Sequence, residues 1–122
     1  MLSSFDDYPI HQTSEPIAHP ASGDPNHYDR YFFNGYSRDG KIFFAAAMGL
    51  YPNRHVVDAS FSVVIAGEQI NVHSSGRAPT DRMECTKVGP IEIEIIVPLQ
   101  RHRLTVDSPE HGVRADLTYD AT

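Results

Sequence analysis

His55 stands three residues before Asp58, at the entrance to an apolar run. A carboxylate that orients an imidazole is the common arrangement for acid–base catalysis, so this pair is the candidate catalytic group. Side chains three apart on a strand point to opposite faces, and the two meet only if His55 belongs to the turn before the strand. Otherwise they read as a loop histidine and a solvated aspartate. Asn34 and Tyr36 form a second group, sharing one face of a short run with Phe32. An amide and a phenol on a partly aromatic face are the polar groups that orient a ligand within an apolar pocket, and they are also ordinary strand residues. Ala45, Ala47 and Gly49 form a third group on one side of the next run. Their small side chains leave open space for a close-packed neighbour, the N-terminal segment or a ligand. Asn34, Tyr36, Ala45, Ala47 and Gly49 are thus the candidate ligand-binding set.

Other titratable residues read as structural. Glu92 and Glu94 share a face and stand ~7 Å apart in a strand, near the spacing of glycosidase carboxylate pairs, but an exposed face accounts for them. His73, beside Val72, and His102, beside Leu104 and Val106, read as satisfied histidines at a sheet edge. His11, His19 and His27 fall eight apart in a proline-rich stretch, where equal spacing gives no fixed geometry. With no two histidines at a fixed short interval, no metal site is expected. No nucleophile elbow, phosphate-cradling glycine loop or His-Glu-x-x-His motif occurs, and no cofactor is expected. The single cysteine, Cys85, excludes an internal disulfide and a multi-cysteine zinc site, and reads as a reduced, half-buried strand residue.

The elements that would position these groups are strands. Residues 1–28 carry Pro9, Pro16, Pro20 and Pro25 among Ser, Asp and His, a composition that sustains neither helix nor central strand. They form an arm that is either disordered or lies across the rest of the fold with Phe5, Tyr8 and Ile10 as its anchors. Residues 29–122 form the β domain. Short runs rich in Val, Ile, Phe and Tyr alternate there with turn chemistry at intervals of roughly ten residues. The runs are Arg30 to Ser37, Lys41 to Leu50, Val56 to Ala66, Gln69 to Ser75, Arg82 to Val88, Ile91 to Val97, Arg101 to Asp107 and Val113 to Tyr119. Asp39-Gly40 marks the first hairpin, Gly67 with Glu68 a second, and Pro98 a bend or bulge rather than a full reversal. Seven or eight antiparallel strands in a meander result. Period-two alternation sets Ile91, Ile93 and Ile95 against Glu92 and Glu94, and Phe61, Val63 and Ile65 against Ser60 and Ser62. The run from Ile42 is apolar or small on both sides, so something covers both of its faces.

Charge narrows the partners. Ten Lys and Arg against sixteen Asp and Glu leave a net charge of -6, which offers no footprint for a phosphate backbone, so nucleic acid is not an expected partner. The longest apolar run, Ile42 to Tyr51, is about half the ~20 residues a spanning helix needs. Asp6 and Asp7 stand where a signal peptide has a basic start, so a cytoplasmic location is expected.

Several stretches taken in order resemble a known family. They are Tyr31-Phe32-Phe33-Asn34-Gly35, Gly49-Leu50-Tyr51-Pro52-Asn53, Asp58 ahead of Phe61-Ser62-Val63-Val64, Val88-Gly89-Pro90, Pro98-Leu99 ahead of Arg103-Leu104, and Ala115-Asp116-Leu117-Thr118-Tyr119. Over residues 28–120 this order resembles the N-terminal part of the lipocalin-like proteins related to carotenoid 1,2-hydratases, the hydroxyneurosporene synthases. The resemblance implies an antiparallel lipocalin-like β-barrel or strongly curved sheet with an apolar interior, used for terpenoid, polyketide and other lipid-like ligands. It carries over no catalytic residue, and Val97 stands where the family pattern has an acidic one.

Three functions follow as expectations. The first is a lipocalin-like module that binds an apolar small molecule. The second is a cofactor-independent hydratase or isomerase in which Asp58 or a nearby histidine protonates an alkene. The third is a self-associating fragment of a longer two-domain protein, forming a homodimer through the exposed edge of Val113 to Tyr119.

Overall fold

Alternation of apolar and polar residues carries through into eight antiparallel strands. The computed structural model describes residues 3–10, 22–79 and 86–121. The strands are β1 (Asp29–Tyr36), β2 (Ile42–Tyr51), β3 (Val56–Ile65), β4 (Glu68–Arg77), β5 (Lys87–Val88), β6 (Ile91–Val97), β7 (Arg101–Ser108) and β8 (Val113–Asp120). Seven of the eight runs expected from sequence appear within two residues at each end. Of the run expected from Arg82, only β5 falls among the described residues, and Cys85 lies outside them.

The strands divide into two four-stranded sheets, ordered β1-β2-β3-β4 and β5-β6-β7-β8. The expected antiparallel all-β fold is present; of its two expected forms, a lipocalin-like barrel or a strongly curved sheet, the barrel is not closed: among the described residues no ladder joins β4 to β5 or β1 to β8. Among the described residues β5 comprises Lys87 and Val88, and Gly89, at a positive φ of 55°, turns the chain with Pro90 into β6. The sheets instead pack face to face, and their backbones approach most closely where β3 and β4 meet β5 and β6. Met48, Leu50, Phe61 and Val72 from the first sheet and Ile91, Ile93, Leu104 and Val106 from the second fill the space between them.

The connections differ from expectation at two places. Pro98 makes a full reversal: Gln100 N–H donates to the Val97 carbonyl at 2.9 Å, and Leu99 takes a positive φ of 63°. Pro at the second position and a left-handed third residue define a type II turn, in which glycine is the usual third residue. The second hairpin turns on Ala66 and Gly67, both at positive φ, one residue earlier than expected. Two longer connections share one design. Pro52–Arg54 and Pro109–His111 each form a single 3₁₀ turn closed by a left-handed residue, His55 in the first and Gly112 in the second.

The arm lies across the sheets. Residues 4–7 form a 3₁₀ turn, and Ile10, only 1% exposed, enters the core. Tyr8 is half-buried, but Phe5 is exposed, so of the three expected anchors Phe5 does not serve. Further along, Asn53 Nδ2 donates to the carbonyls of Ser22 and Asp24, and Arg54 Nε donates to that of Pro25. The Pro52–Arg54 turn thereby fixes the chain as it leads into β1.

Candidate functional site

Where β1 and β2 face β7 and β8, the sheets stand apart and leave an apolar cleft of about 330 Å³. Alternation puts Phe33 and Gly35 of β1, Ile42 and Phe44 of β2, Leu104 of β7 and Leu117 and Tyr119 of β8 on its walls. Gly35 is required by packing: a Cβ there would lie 2.6 Å from the edge of the Phe44 ring. That ring has little room to retreat, because it stacks on Phe61 at 6.1 Å between centroids. The Phe33 ring meets Tyr119 edge-on at 5.4 Å and so spans the seam between the sheets. Polar atoms come from Asn34, Tyr36, Ser37 and Thr118 at the rim.

One imidazole lines this cleft. His102 is 9% exposed, and its Nε2 stands 2.8 and 3.0 Å from the two carboxylate oxygens of Asp7. Asp7 is ninety-five positions away in sequence and belongs to the arm. Its carboxylate also accepts from the backbone N–H of Leu99, and its own carbonyl accepts the Tyr31 hydroxyl at 2.6 Å. One residue of the arm thus joins β1, β7 and the Pro98 turn across the seam. Because a carboxylate only accepts, Nε2 is the donating nitrogen of this pair. Nδ1 is covered by protein and has no hydrogen-bond partner among the described residues. Leaving such an atom unpaired costs about 1–3 kcal/mol, which the Asp7 clamp must offset.

His102 corrects the expectation of a satisfied histidine at a sheet edge. The signal was in the sequence: His102, Leu104, Val106 and Ser108 share one strand face, with Arg101, Arg103 and Asp107 on the other. Its partner carried no comparable signal, because Asp7 lies in an irregular, polar stretch.

The residues expected to act are placed differently. His55 does lie in the turn before β3, yet no hydrogen bond or ion pair joins it to Asp58, so the catalytic pair is not assembled. Asp58 projects instead from the outer face of the first sheet, and His55 is exposed. The ligand-binding set divides. Asn34 and Tyr36 border the cleft at its rim while alternation turns their side chains to the outer face, where Ala47 floors a separate concavity of about 450 Å³ with Asp58, Ser60, His73 and Ser75. Ala45 sits on that same outer face, opposite Asn34 and Ser62. Gly49 lines a smaller hollow of about 190 Å³ beside the arm. Glu92 and Glu94 face outward from β6, and Glu94 lies 3.9 Å from Arg103. Among the described residues no group of three or more His, Cys, Asp or Glu is placed to hold a metal. No helix among them is long and apolar enough to cross a membrane.

Neither the curated proteins nor the solved structures include a match to this chain. The match that is found carries no link to the carotenoid hydratases whose motif order the sequence resembles. It runs over residues 2–122, taking in the arm, both sheets and every residue of the cleft. The chain therefore belongs to a family of unknown function, DUF8625.

Proposed function

We propose that this protein binds an apolar small molecule, of terpenoid, polyketide or lipid-like chemistry, in the cleft between its sheets. The observation that carries this reading is the cleft itself: about 330 Å³, walled by aromatic and aliphatic side chains, with polar groups at its rim. Ligand pockets span roughly 300–1,000 Å³, so the occupant is small or enters by one end. The geometry favours binding over acid–base chemistry. Asp58 lies on the other side of the sheet, and the nitrogen of His102 that Asp7 leaves unengaged is covered by protein.

Titration with an environment-sensitive naphthalene dye tests this. Leu117→Trp, which fills the cleft, should weaken binding at least tenfold, while Ala47→Trp on the outer face should leave it unchanged. Equal affinity in a folded Leu117→Trp protein, or no binding by wild type, would overturn the reading.

The position of β8 supports a separate reading, self-association. Among the described residues β8 is the edge strand of its sheet and pairs with β7 alone. Sedimentation should show a dimer that Thr118→Pro dissociates, and a wild-type monomer at every concentration would exclude pairing through this edge.

A further inference from the structure

The outer face of the first sheet is recessed along its middle. Strand register sets out its rows: Phe32, Ala47, Ser60 and His73 lie side by side across the four strands, as do Asn34, Ala45, Ser62 and Asn71. Next to these come Arg30, Gly49, Asp58 and Ser75 on one side, and Tyr36, Phe43, Val64 and Gln69 on the other. In the rows of Phe32 and Asn34 large side chains occupy β1 and β4 and small ones β2 and β3; Gly49 and Asp58 continue this floor at one end, and Phe43 and Val64 close it at the other. The result is a trough two strands wide, roughly 10 Å, with rows spaced about 7 Å apart along it. Part of it is the concavity of about 450 Å³ floored by Ala47, Asp58 and Ser60.

The chemistry of the trough is distinctive. Its three rows from Phe32 to Tyr36 carry no formal charge, apart from any proton on His73. Aromatic rings stand free on one wall, Phe32 being 59% and Tyr36 80% exposed. The floor and the other wall supply hydroxyls from Ser60, Ser62 and Ser75, the amides of Asn71 and Gln69, the His73 imidazole and the Asp58 carboxylate. Together these offer both donors and acceptors at short intervals. Among the described residues Asp58 has no ion-pair partner, so its acceptor capacity is unused.

A lipid would want an apolar floor, and this one is half hydroxyl and carboxylate. A polyanion is opposed by the net charge of -6. A second copy packed strand over strand would set wall against wall and leave the trough empty. A neutral polyhydroxylated chain matches what remains: its C–H faces stack on aromatic rings, and its hydroxyls exchange hydrogen bonds with amides, serines and Asp58. We propose that this trough binds a neutral oligosaccharide, at a site separate from the apolar cleft.

Affinity electrophoresis of the intact chain through gels containing mixed-linkage β-glucan, galactomannan, xylan or amylopectin tests the proposal. At least one gel should retard the wild type, while an alginate gel should not. Phe32→Ala and His73→Ala should each weaken retardation at least tenfold, and Ala47→Trp should abolish it while leaving dye binding in the cleft intact. Leu117→Trp should do the reverse, so failure at one site is distinguishable from failure at the other. No retardation by any neutral polysaccharide, or retardation indifferent to Phe32→Ala and Ala47→Trp, would overturn the proposal. So would a dimer that Ala47→Trp dissociates, since that would make the face a contact between copies.

Discussion

The outer faces of the two sheets arise from the same alternation and differ in chemistry. On the second sheet Lys87, Glu92, Glu94, Arg101, Arg103, Asp107, Arg114, Asp116 and Asp120 project outward. Arg103 grips Asp116 through two hydrogen bonds of 2.9 and 2.7 Å, and Arg101 pairs with Asp120 at 2.6 Å. On the first sheet the equivalent positions are aromatic, aliphatic, small, hydroxyl, amide or imidazole, and the charges gather at one end, on Arg30, Asp58 and Arg77. Alternation decides which side of a strand meets water. It does not decide what that side is for: a charge-laddered face repels close neighbours, whereas an uncharged recessed face invites a neutral one.

The largest expected effect separates the inner from the outer side of the first sheet. Phe61, 2% exposed and stacked on Phe44, should cost about 3–5 kcal/mol when replaced by Ala. Ser62→Ala, one residue away on the outer face, should stay within about 0.5 kcal/mol. Urea denaturation of both variants checks this, and similar losses would mean that the two faces are not distinguished by burial.

Next comes the seam. Asp7→Ala leaves both His102 and the Leu99 N–H without their acceptor, so a loss of about 1–3 kcal/mol is expected. Amide exchange should show residues 3–10 losing protection before either sheet does. Simultaneous loss would mean that the arm is part of the global folding unit.

A smaller effect is expected on the charged face. Arg103, by hydrogen bond and charge, holds the Asp116 carboxyl below its ordinary value of 3.8. A carboxyl depressed in the folded state stabilises above its unfolded value, and that contribution is lost as pH falls through the folded one. Arg103→Met should therefore slightly lower the urea midpoint at neutral pH, with the difference vanishing in strong acid and at high salt. An unchanged midpoint would show that the pair is energetically idle, as many exposed pairs are.

Least is expected from the two 3₁₀ turns. His55 holds the left-handed conformation that Gly112 holds in the other turn, at a cost for a residue with a Cβ. His55→Gly should raise stability by at most about 1 kcal/mol, because glycine's greater unfolded-state entropy offsets part of the relief. Thermal unfolding would reveal a role for the imidazole if the variant were destabilised.

Much of the fold was legible in the residues. Asp39-Gly40, Gly67, Gly89-Pro90 and the two prolines at 52 and 109 punctuate the chain wherever a strand ends, because turn conformations are set by a few consecutive dihedrals. Pro98 misled, since a type II turn usually announces itself with glycine and here Leu99 fills that position. The candidate site was legible in fragments. Asn34 and Tyr36 were readable as sharing one face of their strand, and the small row at Ala45, Ala47 and Gly49 as open space, but not that the cleft, the outer concavity and the hollow beside the arm divide them.

By itself the sequence determined the strands, their antiparallel order and which side of each is apolar, because these depend on neighbours two to five residues apart. Only the tertiary structure decided that the meander divides into two sheets, that a cleft remains at the β1–β8 seam, and that Asp7 closes on His102 there. A pairing across ninety-five positions depends on how two packed sheets and an irregular arm come together, and no local period encodes it.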